Sequence, residues 1–441
     1  MPKHARGIRM NKVERNIKYK CFFKDDVANN RGLIVNQLEE IRAIMNFPEQ
    51  MQGVTKGYLY NLLYYTTHNS DYYKEYSNFK SINDFPLVDK EILKQNYKRI
   101  FVSEYEKQKD NKEKRTSGST GTPFTVYWDH RKHMRMIADI KYYAELAGAA
   151  SHEPVVCLIV TEKGDRTPLE KQEQDNVYNV YCGYFDDKNI ARILQETYQR
   201  NPKIVIGYAS MWKAIANYIY EGKTEAYEWN ISAILSEAET LDERSREILN
   251  EYFGCPIYSR YGNEENGILA QEDGSGLGHR FNTASYFLEI LKMDRDEPAE
   301  DGEIGRVVIT DLFNYAFPMI RYVNGDLAIR SVTNQGQVYL SSVLGRQIDM
   351  LYATDGKPVN WLAGVIFLKK YRDIRQFQLI QESSKTFKWV LNTTNHEYED
   401  IINKETKNIF GEDADIHIQY VDEIPKLQSG KTQMTICRLN K

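Results

Sequence analysis

The sequence predicts an α/β protein, with a large N-terminal domain of parallel and mixed sheets, helices and a β subdomain, then a small α+β C-terminal domain. Three observations predict it. The chain has 441 residues, more than one compact core holds, so two or three domains are expected. From about residue 135 to 265 short β-branched runs alternate with helical periodicity, the pattern of a mostly parallel sheet covered by helices. After residue 280 strands follow one another without helices, and the last stretch reads as a separate small unit.

The elements follow in order. The first 110 residues read as mostly helical, with apolar residues at helical spacing from Leu33 to Met45. Phe85-Pro86 breaks the chain, and Val88-Asp89-Lys90 opens another helix. Glu104 to Arg115 is rich in charge and reads as an exposed loop. Helices are expected over Met134 to Ala149, Asn189 to Gln199, Met211 to Glu221 and Asp242 to Phe253, the last with Asp242 as N-cap and Gly254 as stop. Strands are expected over Pro154 to Val160, Lys203 to Tyr208, Ile231 to Leu235, Pro256 to Tyr261, Tyr286 to Leu291 and Gly305 to Thr310. Near the C-terminus, Phe377 to Glu382 and Phe387 to Thr393 form a hairpin around Ser383-Ser384, followed by a helix over Glu397 to Ile409 and a strand over Ile416 to Val421.

Composition excludes several classes. A formal net charge of −4 carries no nucleic-acid footprint. The basic N-terminus (Lys3, Arg6, Arg9, Lys12, Arg15, Lys18, Lys20) has no apolar stretch behind it, so it reads as a solvated tail rather than a secretory signal. No run nears the ~18 apolar residues of a membrane span. Five cysteines without a CxxC pair fit a reducing cytoplasm better than a disulfide framework or a zinc knuckle.

Five segments can carry chemistry. Thr116 to Pro123, TSGSTGTP, places Gly118 and Gly121 among the hydroxyls of Ser117, Ser119, Thr120 and Thr122. Glycine lets the backbone approach an anion closely, and hydroxyl donors add hydrogen bonds to phosphate oxygens. A flexible Ser/Gly linker reads the same in isolation. In Tyr258 to Gly267, YSRYGNEENG, a strand runs into acidic residues. Ligands of open α/β sheets bind at the carboxyl ends of strands, so Glu264 or Glu265 could face Mg²⁺, which prefers hard oxygens; a solvated acidic turn is the alternative. Asp326 in YVNGD could bind ribose hydroxyls, or simply stand in a turn. Arg346 in GRQID could pair with ribose or phosphate oxygens, or form a surface ion pair. Lys431 after Ser429-Gly430 could neutralise charge at an α-phosphate, or belong to a frayed tail.

Their order carries more than any one of them. Together with Ser236-Glu237-Ala238-Glu239, the series resembles the adenylate-forming superfamily of acyl-CoA synthetases, adenylation domains and luciferases. It is most similar to the branch of phenylacetate–CoA ligases and CapK capsular-polysaccharide proteins, from about residue 85 to 441. The resemblance implies ATP and Mg²⁺ as cofactors. Ser117 to Thr122 would grip the β- and γ-phosphates, and Glu237, Ala238 and Glu239 would line the adenine pocket. Tyr261, beside Gly262, would stack near adenine, Glu265 would hold Mg²⁺, Asp326 would bind the ribose hydroxyls, and Arg346 would contact ribose or phosphate. Lys431, Glu265 and Thr120 are the catalytic groups implied. Asp349 would be the hinge of a mobile C-terminal domain, residues 346–441 carrying Lys431, against a large domain of residues 1–345. Tyr208, Met211, Trp212 and Tyr258 are the candidates for the acid pocket, with a plain core role as the alternative reading of these side chains.

The sequence departs from the family at three places, one of them Ile348 in the hinge segment, where an acidic residue often sits. Thr122 stands where many members have lysine, and Gln271-Glu272-Asp273 replaces a cysteine-bearing segment, so no structural zinc is expected. The implied activity is conversion of a carboxylic acid into its acyl-adenylate, then transfer to a thiol, as in an acyl- or aryl-CoA ligase using coenzyme A. Transfer to an amine, giving an amide, is the second reading; a non-catalytic nucleotide- or acyl-binding module that kept the fold is the third. The partners are then small molecules, in the cytoplasm, and a homodimer is the default assembly.

Overall fold

The computed structural model describes residues 12–439 except 107, 109, 116–123, 160–166, 184, 347–350, 360–367, 369–370, 372 and 426–434. The predicted phosphate loop, the Asp349 hinge and Lys431 therefore lie outside the described residues, as does the side chain of Arg346.

The helical opening forms as α1 (Lys12–Asn30), α2 (Leu33–Asn46), α3 (Pro48–Asn69), α4 (Lys90–Gln95) and α5 (Tyr97–Ile100). Asp26 fixes the α1–α2 turn by accepting from the backbone N–H groups of Ile34 and Val35 at 3.3 and 3.0 Å. The basic segment is corrected here. From Lys12 onward it is helix α1, docked on the body of the protein: Lys18 Nζ donates to Asn176 Oδ1 at 2.7 Å, and Arg15 pairs with Glu153 at 3.5 Å. Lysines spaced along a helix look in sequence like lysines along a tail, because their long stems leave no apolar stripe to read.

The charge-rich stretch expected to be a loop ends in a strand. β1 (Lys112–Arg115) pairs antiparallel with β2 (Thr125–Trp128), and the predicted phosphate loop joins them. All four β1 residues are charged, so no apolar alternation marked it.

The main body is one eleven-stranded sheet. Its strands are β3 (Val155–Ile159), β4 (Val177–Tyr181), β5 (Ile204–Tyr208), β6 (Ala233–Glu237), β7 (Ile257–Asn263), β8 (Gly267–Glu272), β9 (His279–Phe281), β10 (Tyr286–Leu291), β11 (Ile304–Asp311), β12 (Tyr322–Val332) and β13 (Val338–Arg346). The order is β10-β11-β12-β13-β9-β8-β7-β6-β5-β3-β4. β4, β3, β5, β6 and β7 run parallel, and every pairing from β7 to β10 is antiparallel. The β region expected as a subdomain is thus continuous with the parallel sheet. The β7–β8 hairpin reverses the chain and extends the same ladder.

Helices cover both faces of the parallel half. α7 (Leu169–Asp175) leads into β4. On one face lie α8 (Asp187–Arg200), α9 (Ala209–Tyr220) and α10 (Glu243–Phe253), whose Ile193, Trp212, Ile215 and Leu249 pack on Val156, Val205 and Ile234. Burial of an aliphatic side chain such as Ile215, 1% exposed, contributes about 1.5–3 kcal/mol. On the other face α6 (His130–Leu146) leads to Ala147 and Ala149, which cluster with Ile204, Ala233 and Leu235. Asp129, Asp186 and Asp242 cap α6, α8 and α10, each accepting from a first-turn backbone N–H at 2.9 Å. Gly254, at φ +65°, ends α10 as expected.

The C-terminal unit carries β14 (Leu351–Tyr352), β15 (Pro358–Val359), β16 (Gln376–Gln381), β17 (Thr386–Asn392), α11 (Glu399–Phe410), β18 (Asp415–Tyr420) and β19 (Thr435–Cys437). Four strands form a sheet in the order β18-β17-β16-β19. The predicted hairpin is present: Ser383 Oγ accepts from the Thr386 N–H at 3.0 Å. Leu379, Trp389, Ile402 and Phe410 form this unit's core.

Candidate active site

The carboxyl ends of β5, β6 and β7 open where the parallel half of the sheet becomes antiparallel. Tyr261 stands near the end of β7, and Glu265 in the turn to β8. Gly262 is dictated by the hairpin: a Cβ there would lie 2.4 Å from the Gly267 carbonyl oxygen. Asn263 Oδ1 accepts from the Asn266 N–H at 2.7 Å and closes the turn.

The turn separates the two glutamates. Glu264 is exposed, while Glu265 is 6% exposed. Glu265 is held at both ends of the residue. Its carboxylate Oε1 accepts from the Tyr322 hydroxyl at 3.1 Å, and its carbonyl accepts from the Trp128 indole N–H at 2.8 Å. Beneath it, Tyr286 donates to the Asn266 carbonyl at 2.5 Å and accepts from Lys132 Nζ at 2.9 Å. Lys132 in turn pairs with Asp311 at 2.6 Å, both side chains 0% exposed. Trp128, Lys132, Tyr286 and Asp311 are separated in sequence and were not singled out by motif; a tertiary network leaves no spacing to read.

Asp326 stands on β12, 9% exposed. Its Oδ2 accepts from the Tyr261 hydroxyl at 2.7 Å. The predicted adenine-stacking ring and the predicted ribose carboxylate are therefore joined. On its other side Asp326 is the β-ladder partner of Arg346, so the structure brings those two backbones together. Tyr322, Asn324 and Asp326 alternate along β12, which places the Glu265 and Asp326 carboxylates along one strand. That period-2 spacing was visible in YVNGD, and it is the signal by which Tyr322 and Asn324 could have been found.

Glu237 ends β6 opposite Tyr208 of β5 and Arg260 of β7. Its Oε2 lies 3.8 Å from Arg260 Nη1. Burial raises the Glu237 carboxyl, while Arg260 draws it down. Gln271, at the place of the absent cysteine-bearing segment, is fully buried; it accepts from Arg260 Nε at 3.0 Å and donates to the Tyr143 carbonyl at 3.0 Å. Ala238 follows Glu237 with φ +69°, a left-handed conformation that costs a residue with a Cβ roughly 1–2 kcal/mol. Such strain clusters at ligand sites.

Two pocket candidates are corrected. Met211 and Trp212 are each 1% exposed and belong to the core between α9 and the sheet. The Trp212 indole N–H is taken up by the carbonyls of Gly207 and Leu235 at 3.1 and 3.2 Å. Helical phase explains the misreading: α9 follows β5 directly and turns these residues inward. Tyr258 packs against the α6-side cluster, and Tyr208, 38% exposed, reaches the open strand end.

Residues 351–438 match the CapK C-terminal domain family. Over 450 aligned residues the chain is 23% identical to protein CapK of Staphylococcus aureus, covering 96% of this chain and 95% of that one. It is 25% identical over 162 residues to phenylacetate-coenzyme A ligase of Thermus thermophilus, covering 34% and 35%. Among solved structures, 2-hydroxyisobutyryl-CoA ligase in its postadenylation state, bound to R3-HIB-AMP, superposes with a TM-score of 0.71 at 14% identity, over 88% of this chain and 90% of that one. The fold is that of the adenylate-forming enzymes, and the resemblance to their CapK-like branch holds.

Proposed function

We propose that this protein uses ATP to convert a carboxylic acid into its acyl-adenylate and then transfers the acyl group to an acceptor. The observation that carries the reading is the pair of carboxylates, Glu265 and Asp326, organised along β12 at the switch point of the sheet. In the first step a carboxylate oxygen of the acid attacks the α-phosphorus and pyrophosphate leaves. In the second, an acceptor attacks the acyl carbon and AMP leaves. Positioning and charge neutralisation are the protein's contribution. Asp326 binds the ribose hydroxyls, Tyr261 lies against adenine, and Glu237 to Glu239 border the base. Arg346 contacts ribose or phosphate. The loop Ser117 to Thr122, with Thr120, and Lys431 meet the phosphates.

Glu265 suits Mg²⁺: one buried carboxylate held by a tyrosine hydroxyl is the donor set this ion takes when phosphate oxygens complete its shell. When bound, the ion would neutralise charge on the departing pyrophosphate. The acid lies beyond the β5–β7 ends, beside Tyr208. Residues 346–441 act as a closing domain hinged at Asp349 against residues 1–345.

The acceptor we favour is coenzyme A, giving an acyl- or aryl-CoA ligase of the phenylacetate–CoA type that works in the cytoplasm. Near full-length similarity to CapK favours a second reading, an amine acceptor and an amide product. An ATP–pyrophosphate exchange screen over aryl-acetic, benzoic, aliphatic, amino and sugar acids tests the first step. Exchange with one acid is expected, and AMP release on adding coenzyme A or an amine then names the acceptor. ATP binding without exchange across the whole panel would sink the adenylation reading.

A further inference from the structure

Asn324 belongs to none of the roles assigned above, yet three groups of the site meet on it. It is 5% exposed on β12, between Tyr322 and Asp326. Its Nδ2 donates to the Tyr261 hydroxyl oxygen at 2.7 Å and to Asp326 Oδ2 at 3.0 Å. Its Oδ1 accepts from the Asp326 N–H at 3.0 Å. With the Tyr261 hydroxyl donating to Asp326 Oδ2 at 2.7 Å, the three side chains close a ring.

The donor count fixes the geometry. A carboxamide has two N–H donors, and Asn324 uses one on the phenol and one on the carboxylate. A rotated amide would set its oxygen against both Asp326 Oδ2 and the phenol, and its NH₂ against a backbone N–H, so only one orientation satisfies all partners. The phenol's single proton goes to Asp326. The backbone is shaped for this arrangement. Val323 pairs with Val308 and Leu327 with Arg306, so Asn324, Gly325 and Asp326 face the single residue Val307 across a bulge. Gly325, at φ +84°, takes the left-handed turn within it. Bulges re-aim side chains next to functional sites.

Resting on the ATP reading above, we infer that Asn324 is a positioning residue for the nucleoside, setting the Asp326 carboxylate and the Tyr261 ring in one register so that ribose hydroxyls and adenine are read together. Asp326 and Tyr261 touch the nucleotide; Asn324 acts through them.

The test is direct binding of ATP and of 3′-deoxy-ATP to the full chain by calorimetry, with thermal denaturation of each variant alongside. Wild type should prefer ATP, and Asp326→Ala should abolish the preference. Asn324→Ala should reduce the ATP to 3′-deoxy-ATP affinity ratio by about fivefold to tenfold, the scale of one ordinary net hydrogen bond. The Asn324→Ala/Asp326→Ala double variant should lose no further preference. Tyr261→Phe, which keeps the ring and removes the hydroxyl, should give an intermediate loss and covers the case of an unfolded Asn324→Ala. Equal weakening of both nucleotides by Asn324→Ala or Tyr261→Phe, with the ratio unchanged, would overturn the inference and make the ring merely structural. Failure of wild type to bind ATP would instead overturn the nucleotide reading, and the inference with it.

Discussion

The indole of Trp128 donates a hydrogen bond to the backbone carbonyl of Glu265 at 2.8 Å. The last residue of the strand following the predicted phosphate-loop segment is thereby tied to the turn that carries the candidate metal carboxylate. Trp128→Phe keeps most of the buried surface and removes the donor. It should destabilise the protein by about 1 kcal/mol and shift the Mg²⁺ dependence of pyrophosphate exchange to higher concentration. Loss of stability with an unchanged Mg²⁺ titration would confine the bond to a structural role.

Under that turn, Lys132 and Asp311 form an ion pair with both side chains at 0% exposure. Removing one partner leaves an uncompensated buried charge. Lys132→Met should therefore cost about 3–5 kcal/mol in chemical denaturation, and Lys132→Met/Asp311→Leu should recover much of it. A double variant as unstable as the single one would show that hydrogen bonding to Tyr286, rather than charge pairing, dominates there.

Gly262 faces backbone. An added methyl group would meet the Gly267 carbonyl oxygen at 2.4 Å, a contact no rotamer relieves. Gly262→Ala should destabilise by about 1–3 kcal/mol and reduce exchange activity further, because the same hairpin sets Tyr261 and Glu265. An unaltered melting curve would refute the clash.

Lys431→Ala should cut acyl-adenylate formation by about 10²-fold, the effect of losing one electrostatic stabiliser. Glu265→Gln should weaken the response to Mg²⁺, whereas Glu264→Gln, at the exposed neighbour, should leave it intact. A reversed pair of results would move the metal role by one residue.

Burial lowers the His152 imidazole to about 3, with Lys141, Lys18 and Lys171 adding to the shift. Its ring packs 5.0 Å from Phe22 of α1. The folded state holds it neutral while the unfolded chain protonates near pH 6.5. Its contribution is therefore complete above pH 6.5 and is lost as pH falls toward 3. His152→Asn, which suits the φ of +64°, should flatten the stability profile between neutrality and pH 5 by about 1–2 kcal/mol. A profile as steep as wild type would assign the acid sensitivity elsewhere, His133 first, since burial brings it to about 4.

Much of this architecture was legible in the sequence. Strands β3, β5, β6 and β7 and helices α8, α9 and α10 form where periodicity put them, because each is amphipathic or short and β-branched, whereas α7 and β4 were not expected; Asp242 and Gly254 mark α10 by capping chemistry alone. β1 and α1 were misread since charged residues hide both periods. Met211 and Trp212 show another limit: being near the end of a strand does not say which way a helix then turns its side chains. Of the candidate site, the ordered motifs point to Tyr261, Glu265 and Asp326, while their support by Trp128, Lys132 and Tyr286 comes from tertiary proximity that no local pattern encodes.

The bulge in β12 has a consequence for measurement. Because the Asp326 N–H donates to the Asn324 side chain, its hydrogen exchange responds to that rotamer as well as to the ladder that Asp326 shares with Arg346. Release of the Asn324 side chain would therefore raise exchange at this one amide. Isotope labelling at Asp326 would thus register occupancy of the proposed nucleoside site without an acid substrate, a chromophore or turnover.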